Sequence, residues 1–395
     1  MKISSPSCPV CGSQTAQMPL IEIQDMPVFC NVLLPDRESA LRAPKGDIHL
    51  VFCGYCGHLY NKAFDPRKAQ YSPGYENSLH FSPRFQAYAE SLAKRLVHQY
   101  QLQGKTIIEI GCGKGDFLNL LCKMGENRGF GFDPSYEEER VSESDRRRFV
   151  VIRDFYSEKY AEIKADMIVC RHVLEHIMSP RSFLESLRKA VGDRGTTVFF
   201  FEVPNAMYTL KDLGIWDLIY EHCGYFISAS LAHVFEASDL FPVSVNSDFG
   251  GQYICIEAMP DKKRRHAAEI NKGDLSEVAG CAKGFAREHQ NKVMEWHERL
   301  RAMNQNGKRF VVWGAGSKGV TFLNLMGKDA TIKYVVDINP HKKGFYVPGT
   351  GQEVIGLQDL KVIHPDVIII MNPLYEREIL EMLRGLNISC AIARA

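Results

Sequence analysis

Five groups of residues in this chain have the types and spacing to do chemistry. Cys8-Pro-Val-Cys11 and Cys53-Gly-Tyr-Cys56 are two CxxC pairs, each able to turn two thiolates toward one ion. Two such pairs close a four-sulfur tetrahedral site with no open position, which makes a structural zinc ion the expected occupant; His58 is expected to be a neighbour and not a ligand. The run Ile107-Ile108-Glu109-Ile110-Gly111-Cys112-Gly113-Lys114-Gly115 reads as a strand, a glycine turn and a helix start. The turn lets backbone approach a ligand, and the helix start offers free N–H groups. Strand ends that follow carry Asp133, placed to accept from two ribose hydroxyls, and Asp154-Phe155, an acid and an aromatic suited to an adenine. A dense cluster of titratable and aromatic groups, Tyr220-Glu221-His222-Cys223-Gly224-Tyr225-Phe226, comes later. Finally Gly314-Ala-Gly-Ser-Lys318-Gly319 is a second glycine turn of the GxGxxG kind, with Asp337 closing the next strand.

The elements that must position these groups follow from periodicity. Phe85, Tyr88, Leu92 and Leu96 repeat at helical spacing, with Ser82 as the expected N-cap and Pro83 at the first helical position. From Thr106 to about Pro260, TIIEI, RGFGFD, FVVIRD, DMIVC and TTVFFFEV alternate with helical patterns, as in a mostly parallel, doubly wound sheet. Ser228 is the expected N-cap of a helix that turns Leu231, Val234 and Phe235 inward. The basic run at 261–266 reads as a solvated linker, a helical stretch follows to about Met303, and RFVVWG, TIKYVVD and PDVIIIM are strands of a second alternating segment. The expected division is a zinc-binding module at 1–72, an α/β domain at 73–260, a helical linker at 261–304 and a C-terminal Rossmann-like domain at 305–395.

Composition narrows the function classes. The 395 residues carry 48 Lys and Arg against 47 Asp and Glu, a net charge of +1, which gives no electrostatic reason for a nucleic-acid or membrane-surface partner. The apolar runs are too short to span a bilayer and the first residues lack an apolar signal segment, so a cytoplasmic location is expected. Twelve cysteines without an export signal favour free thiols and a metal site over disulfides.

The series E-I-G-C-G-K-G, F-D-P, R-D-F and D-M-I-V-C-R-H-V-L-E-H resembles class I S-adenosylmethionine-dependent methyltransferases. That resemblance implies a Rossmann-like core binding S-adenosyl-L-methionine, with Gly111 and Gly113 near its methionine part, Asp133 at the ribose and Asp154 with Phe155 at the adenine. Glu109, on the strand two residues before the turn, and His172 are further candidates for the cofactor pocket. His172-Val-Leu-Glu175-His176 also fits the HxxEH metalloprotease pattern, with two histidines sharing a helix face, but its place after this strand favours a cofactor-lining His172 and a packed His176.

The whole chain resembles a narrower family, the C-methyltransferases of nucleotide-linked 4-keto-6-deoxy sugars, which join a zinc module, a methyltransferase core and a C-terminal Rossmann-like domain. Their catalytic loop carries a Tyr, a Glu and a His before a Tyr-Phe pair. Tyr220, Glu221, His222 and Tyr225-Phe226 match those types with one residue fewer between Tyr and Glu, and Phe249 stands where many members have His. The implied reaction is C-3 methylation by enolisation, with His222 as the first choice of base and Glu221 or Tyr220 orienting it or holding the enolate oxygen. Tyr75 and Ser78, carried over from a stretch that also holds Tyr71 and His80, are candidate substrate contacts with Asn205, Tyr225 and Lys318. In this frame Lys318 and its helix N-terminus meet the substrate's phosphates or base. Methylation at oxygen or on a non-sugar ketone, and a nicotinamide-dependent or nucleotide-sensing role for the second glycine turn, are the alternatives.

Overall fold

The computed structural model describes residues 7–69, 74–136, 148–261, 275–327 and 332–395; Tyr71 and nearly all of the basic run at 261–266 lie outside the described residues. The N-terminal module is β1 (Gln17–Pro27), a short helix α1 (Arg37–Leu41), β2 (Lys45–Cys53) and β3 (Leu59–Asn61). β1, β2 and β3 pair antiparallel in that order, Ile23 lying opposite Ile48 and Val51 opposite Tyr60.

The central domain begins with α2 (Pro83–Gln99). Ser82 is its N-cap, accepting from the Phe85 amide at 3.2 Å, and Phe85, Leu92 and Leu96 are buried, as the periodicity requires. The strands and helices β4 (Thr106–Ile110), α3 (Asp116–Gly125), β5 (Arg128–Phe132), β6 (Phe149–Ile152), β7 (Met167–Arg171), α4 (Pro180–Val191), β8 (Val198–Pro204) and α5 (Ala206–Lys211) follow. A two-residue strand β9 (Gly224–Tyr225), α6 (Ser228–Glu236), β10 (Phe241–Asp248) and β11 (Tyr253–Met259) complete it. The seven-stranded order is β10-β11-β8-β7-β4-β5-β6, and β4 pairs parallel with both β5 and β7. Strand order reverses around β4, so the crevice beyond its carboxyl end is where a ligand belongs in an open parallel sheet. Ser228 is the first residue of α6 and not its cap: Ile227 holds that position, and Ser230 Oγ accepts from its amide at 3.1 Å.

α7 (Leu275–Gln305) is one long helix with a buried stripe of Val278, Ala282, Phe285, His289, Val293, Trp296 and Leu300. The stretch expected as a linker is therefore a core element. Beyond it, β12 (Phe310–Trp313), α8 (Ser317–Met326), β13 (Tyr334–Val336), β14 (Glu353–Ile355), α9 (Leu360–Ile363), β15 (Val367–Ile370), α10 (Glu376–Gly385) and β16 (Ala391–Arg394) build a five-stranded parallel sheet in the order β14-β13-β12-β15-β16.

The N-terminal module wedges between the two α/β domains. One core joins Ile21, Ile23 and Ile48 to Trp296 of α7 and to Val312 and Ile369 of the C-terminal sheet. Another joins Cys8, Cys53 and Cys56 to Ile108, Phe201 and Val234 of the central domain. Polar contacts bridge the α/β domains as well: Glu378 accepts from Ser82 Oγ (2.8 Å) and from the Arg84 amide (2.9 Å), so a C-terminal carboxylate reinforces the cap of α2. Carboxylates at helix N-termini are favoured because the free amides and the helix dipole point at them. Among the described residues, no helix is long and apolar enough to cross a membrane. Ser82→Ala removes both the cap and one half of this bridge; urea unfolding is expected to show a loss of about 1–2 kcal/mol.

Candidate functional site

The first glycine turn is built by close approach. Gly111 has φ +67°, and a Cβ there would stand 2.2 Å from Val173 Cγ2, so only glycine fits between the strand end and the following loop. The Gly113 amide donates to Asp133 Oδ2 (2.9 Å), and Ser135 donates to Asp133 Oδ1 from its amide (2.8 Å) and its hydroxyl (2.7 Å). Asp133 thus fixes the turn from the end of β5. Glu109 is buried beneath it, and burial lifts its carboxyl to about 8 despite the opposing charge of Arg171. One of its oxygens has no hydrogen-bond partner. A buried carboxyl with one free oxygen beside a cradle of positive-φ glycines suits a ligand with an ammonium group and a carboxylate, as the methionine part of S-adenosylmethionine has. Asp154 is engaged locally by the Phe155 amide (2.8 Å), Lys159 Nζ (3.0 Å) and Tyr160 Oη (2.6 Å), while the Phe155 ring is exposed.

The second glycine turn repeats the device. The Ala315 amide donates to Asp337 Oδ2 and the Asn339 amide to Asp337 Oδ1, both at 2.8 Å. A Cβ on Gly319 would stand 2.0 Å from the Gly314 carbonyl, which sets how closely α8 packs on the turn. Here the acid faces a cation: Lys342, buried, donates to the Ala315 carbonyl (3.0 Å) and lies 3.6 Å from Asp337 Oδ2. Lys318, at the start of α8, pairs with Asp217 at 2.5 Å.

Against the second turn lies a cavity of about 330 Å³, walled by all three modules. It gathers Tyr75, Ser78, His172, Asn205, His222, Tyr225 and Lys318, which the sequence offers as site residues, and adds Lys342 together with Glu175 and His176 of the HxxEH pattern, which it does not place in the site. Glu175, His176 and His222 bring one polar atom each to within 4.8 Å of one another. The HxxEH segment is not a helix: β7 ends at Arg171, His172 has φ +54°, and Leu174–His176 form one 3-10 turn. His176 therefore faces the cavity beside His222, the rings edge to face at 4.8 Å, and is not a packed core histidine. Burial first, and then His176 and His172, push the His222 imidazole well below its usual range, so it is neutral near pH 7.

The loop that carries His222 is stapled on every side. Glu221 accepts from the Cys30 amide (2.9 Å) and from Tyr75 Oη (2.6 Å), and its carbonyl meets His176 Nδ1 at 3.0 Å. Tyr225 Oη bonds both the amide and the carbonyl of Ile219 at 3.1 Å, and Asn205 Nδ2 donates to the Gly251 carbonyl (2.8 Å). Ser78 Oγ lies 3.4 Å from Asp116 Oδ2. Tyr220 points elsewhere: its hydroxyl accepts from the Asp65 amide (2.8 Å), its ring covers Gly46, and it is not among the cavity-lining residues. Phe249, at φ +48°, packs among Phe85, Tyr88, Tyr253 and Tyr375.

In the N-terminal module Cys8, Cys11, Cys53 and Cys56 converge, with Sγ–Sγ separations of 3.7 Å (Cys8–Cys56) and 3.6 Å (Cys11–Cys53). These are far longer than a disulfide and close to the edge of a tetrahedron of thiolates, roughly 3.8 Å for a metal–sulfur distance of about 2.3 Å. His58 is buried beside them, its ring held well below the ordinary histidine range, at about 3, by desolvation.

Residues 82–245 match the family model described as a methyltransferase domain, and residues 263–389 match the one described as a C-methyltransferase C-terminal domain. With its doubly wound sheet and glycine turn, the protein is an S-adenosylmethionine-dependent methyltransferase. C-methyltransferase NovU of Streptomyces niveus is 26% identical over 292 residues, 70% of this chain and 69% of that protein. A ubiquinone biosynthesis O-methyltransferase of Hydrogenovibrio crunogenus is 30% identical over 127 residues, 30% of this chain and 52% of that protein. Among solved structures, magnesium protoporphyrin IX methyltransferase of Synechocystis with bound SAH is 17% identical, with a TM-score of 0.34 over 45% of this chain and 84% of that one. The two matched domains, with the likeness to NovU across most of the chain, place the protein in the S-adenosylmethionine-dependent C-methyltransferase family. Because its hydroxyl is spent on backbone, Tyr220→Phe is expected to keep kcat within about twofold while losing about 1 kcal/mol of stability, read by initial rates and urea unfolding.

Proposed function

We propose that the protein methylates the carbon next to the ketone of a nucleotide-linked 4-keto-6-deoxy hexose, at C-3. The observation that carries this reading is the neutral His222 ring in the wall of a cavity shared by the methyltransferase core and the C-terminal domain. A C–H bond is acidic enough to break only beside a carbonyl, and a neutral imidazole is the base for that task near pH 7. His222 takes the proton from C-3, and the electrons pass to the ketone oxygen as an enolate. S-adenosylmethionine, when bound, supplies an electrophilic methyl group that the enolate carbon attacks. Tyr75 faces the same cavity, and because its one hydroxyl proton goes to Glu221 Oε2 its part is to hold the loop that carries His222. Glu109, Gly111, Gly113 and Asp133 hold the methyl donor, with Asp154 and Phe155 at the adenine end and His172 between donor and substrate. The N-terminus of α8, with Lys318 and Lys342, supports binding of the sugar's phosphates. Ser78, Asn205 and Tyr225 complete the substrate wall.

The four cysteines hold a structural zinc ion, an assignment supported by thiolate-only donors in a closed tetrahedral set. Cys53→Ser is expected to remove zinc, measured by elemental analysis, and to lower both Tm and turnover, because the same module shares its sheet with the His222 loop.

The reaction is tested by mass spectrometry in deuterated water, with dTDP- and GDP-linked 4-keto-6-deoxy hexoses offered alongside S-adenosylmethionine. A product heavier by one methyl group is expected, with solvent deuterium entering unreacted sugar only when His222 is present. A His222→Ala protein that binds S-adenosylmethionine and keeps full turnover would falsify the choice of base. Silence across the panel, with the methyl donor still bound, would discard the sugar.

A further inference from the structure

Four titratable groups, the buried Arg171, Glu175 and Glu202 and the half-buried His172, meet at the cavity end of β7 and β8, and three of them have no part in the proposed reaction. Glu202 is fully buried; its Oε1 accepts from Arg171 Nη2 (2.8 Å) and Nε (3.1 Å), and its Oε2 accepts from Tyr88 Oη. His172 Nε2 lies 2.8 Å from the same Oε1, too far off line for a good hydrogen bond, so the attraction is that of an ion pair. On its other side His172 Nδ1 faces Glu175 Oε1 at 3.7 Å, and the second Glu175 oxygen is buried without a partner. Two carboxylates thus balance two cations only if the imidazole is protonated. A neutral ring would leave a net negative charge on the buried Glu175 and Glu202 beside Arg171, an expensive arrangement. The backbone of His172 sits at φ +54°, a strained region for a residue with a Cβ, and such strain collects at functional sites.

We propose that His172, held between Glu175 and Glu202, is a permanent imidazolium in the cavity wall and a positioning residue: together with burial and the facing His176 ring, its charge keeps His222, in the same wall, neutral and able to accept a proton. The proposal rests on the reading of His222 as the base. The groups that face the pair can be named element by element. Arg171, Glu175 and His176 come from the β7 end, Glu202 from β8, Tyr88 from α2 and Tyr253 from β11, its ring edge to face with His172 at 4.6 Å. Glu221 and Tyr225 belong to the His222 loop, and Tyr75 bonds Glu221. Tyr253 and Tyr225 are held un-ionised by burial, so they add no charge. Burial opposes protonation of His172, but Glu175 and Glu202 outweigh it and lift the ring to about 9. A raised histidine stabilises the fold fully below about pH 6.5 and loses that contribution as the pH rises through 9. Across the range in which an enzyme of this kind works, the charge is present. When His222 removes a proton from substrate, the same imidazolium faces the negative charge that develops.

The test needs no sugar, so it is independent of the substrate assignment. The full chain, labelled with 15N and 13C in histidine, is titrated from about pH 10 down to the lowest pH at which it stays folded. Ring correlations are assigned with His172→Gln and His222→Ala. His172 is expected to show both nitrogens protonated at neutral pH and to titrate near 9, with His222 neutral at pH 7 and gaining its proton only toward the acid end of the range. In His172→Gln the His222 midpoint is expected to rise by about 0.5–1 unit, a three- to tenfold gain in proton affinity. The acid limb of kcat/KM should move with it once a substrate is in hand, a shift that mere loss of packing would not produce. A neutral His172 at pH 7, or an unmoved His222 midpoint in the variant, overturns the proposal. If His172→Gln does not fold, Glu175→Gln leaves the ring in place and is expected to lower the His172 midpoint by half a unit or more; no change there overturns it equally.

Discussion

Two residues of backbone, Gly224 and Tyr225, pair with Tyr60 and Leu59 and so make the His222 loop the fourth strand of the N-terminal sheet. The rest of the site depends on this ladder. The Asn61 amide bonds the Cys223 carbonyl at 3.0 Å, and a Cβ on Gly224 would stand 3.0 Å from the His58 ring, so the strand lies flat against the module. His222 immediately precedes this anchored stretch, and Glu221 is gripped by Cys30 and Tyr75. A base on a free loop would sample many positions. One held by a sheet, two hydrogen bonds to its neighbour and a facing histidine ring occupies few, and that preorganisation lowers the cost of reaching the reacting geometry.

The cysteine cluster acts at the other end of the same lever. Cys53 ends β2, and Cys56 lies in the turn that leads to β3, so the four sulfurs set the register of the sheet that receives β9. A module of this size buries too little apolar surface to hold such a register by itself. It shares two cores with the larger domains instead.

The central and C-terminal domains solve one packing problem in the same way. In each, an aspartate at the end of the strand next to the glycine turn accepts an amide from the turn with one oxygen and an amide two residues onward with the other. They differ in charge. The first turn overlies a buried carboxyl lifted by desolvation, which suits a cationic ligand, whereas the second has Lys342 beneath it and Lys318 at its helix start, which suits an anionic one. Only the second of them lines the cavity that holds His222.

Much of this was legible in the chain itself. The strands around Glu109, Asp133 and Val312, the cap at Ser82 and the thiolate pairs are local patterns, set by side-chain alternation, turn chemistry and CxxC spacing within a few residues. What the sequence could not decide is anything that needs two distant segments to meet. The stretch Gly224–Tyr225 carries no strand signal, because its partner lies far earlier in the chain and a two-residue strand has no periodicity. His176 read as a packed residue because a helix was expected where a left-handed His172 and a 3-10 turn stand instead. Tyr220 is a catalytic candidate through the resemblance to the family's Tyr-Glu-His loop, while its hydroxyl accepts from the Asp65 amide. Local spacing determined the fold class, the two glycine turns and the sulfur cluster. Only the tertiary structure decided which titratable groups share a cavity, because charge and burial are properties of what surrounds a residue and not of what adjoins it in the chain.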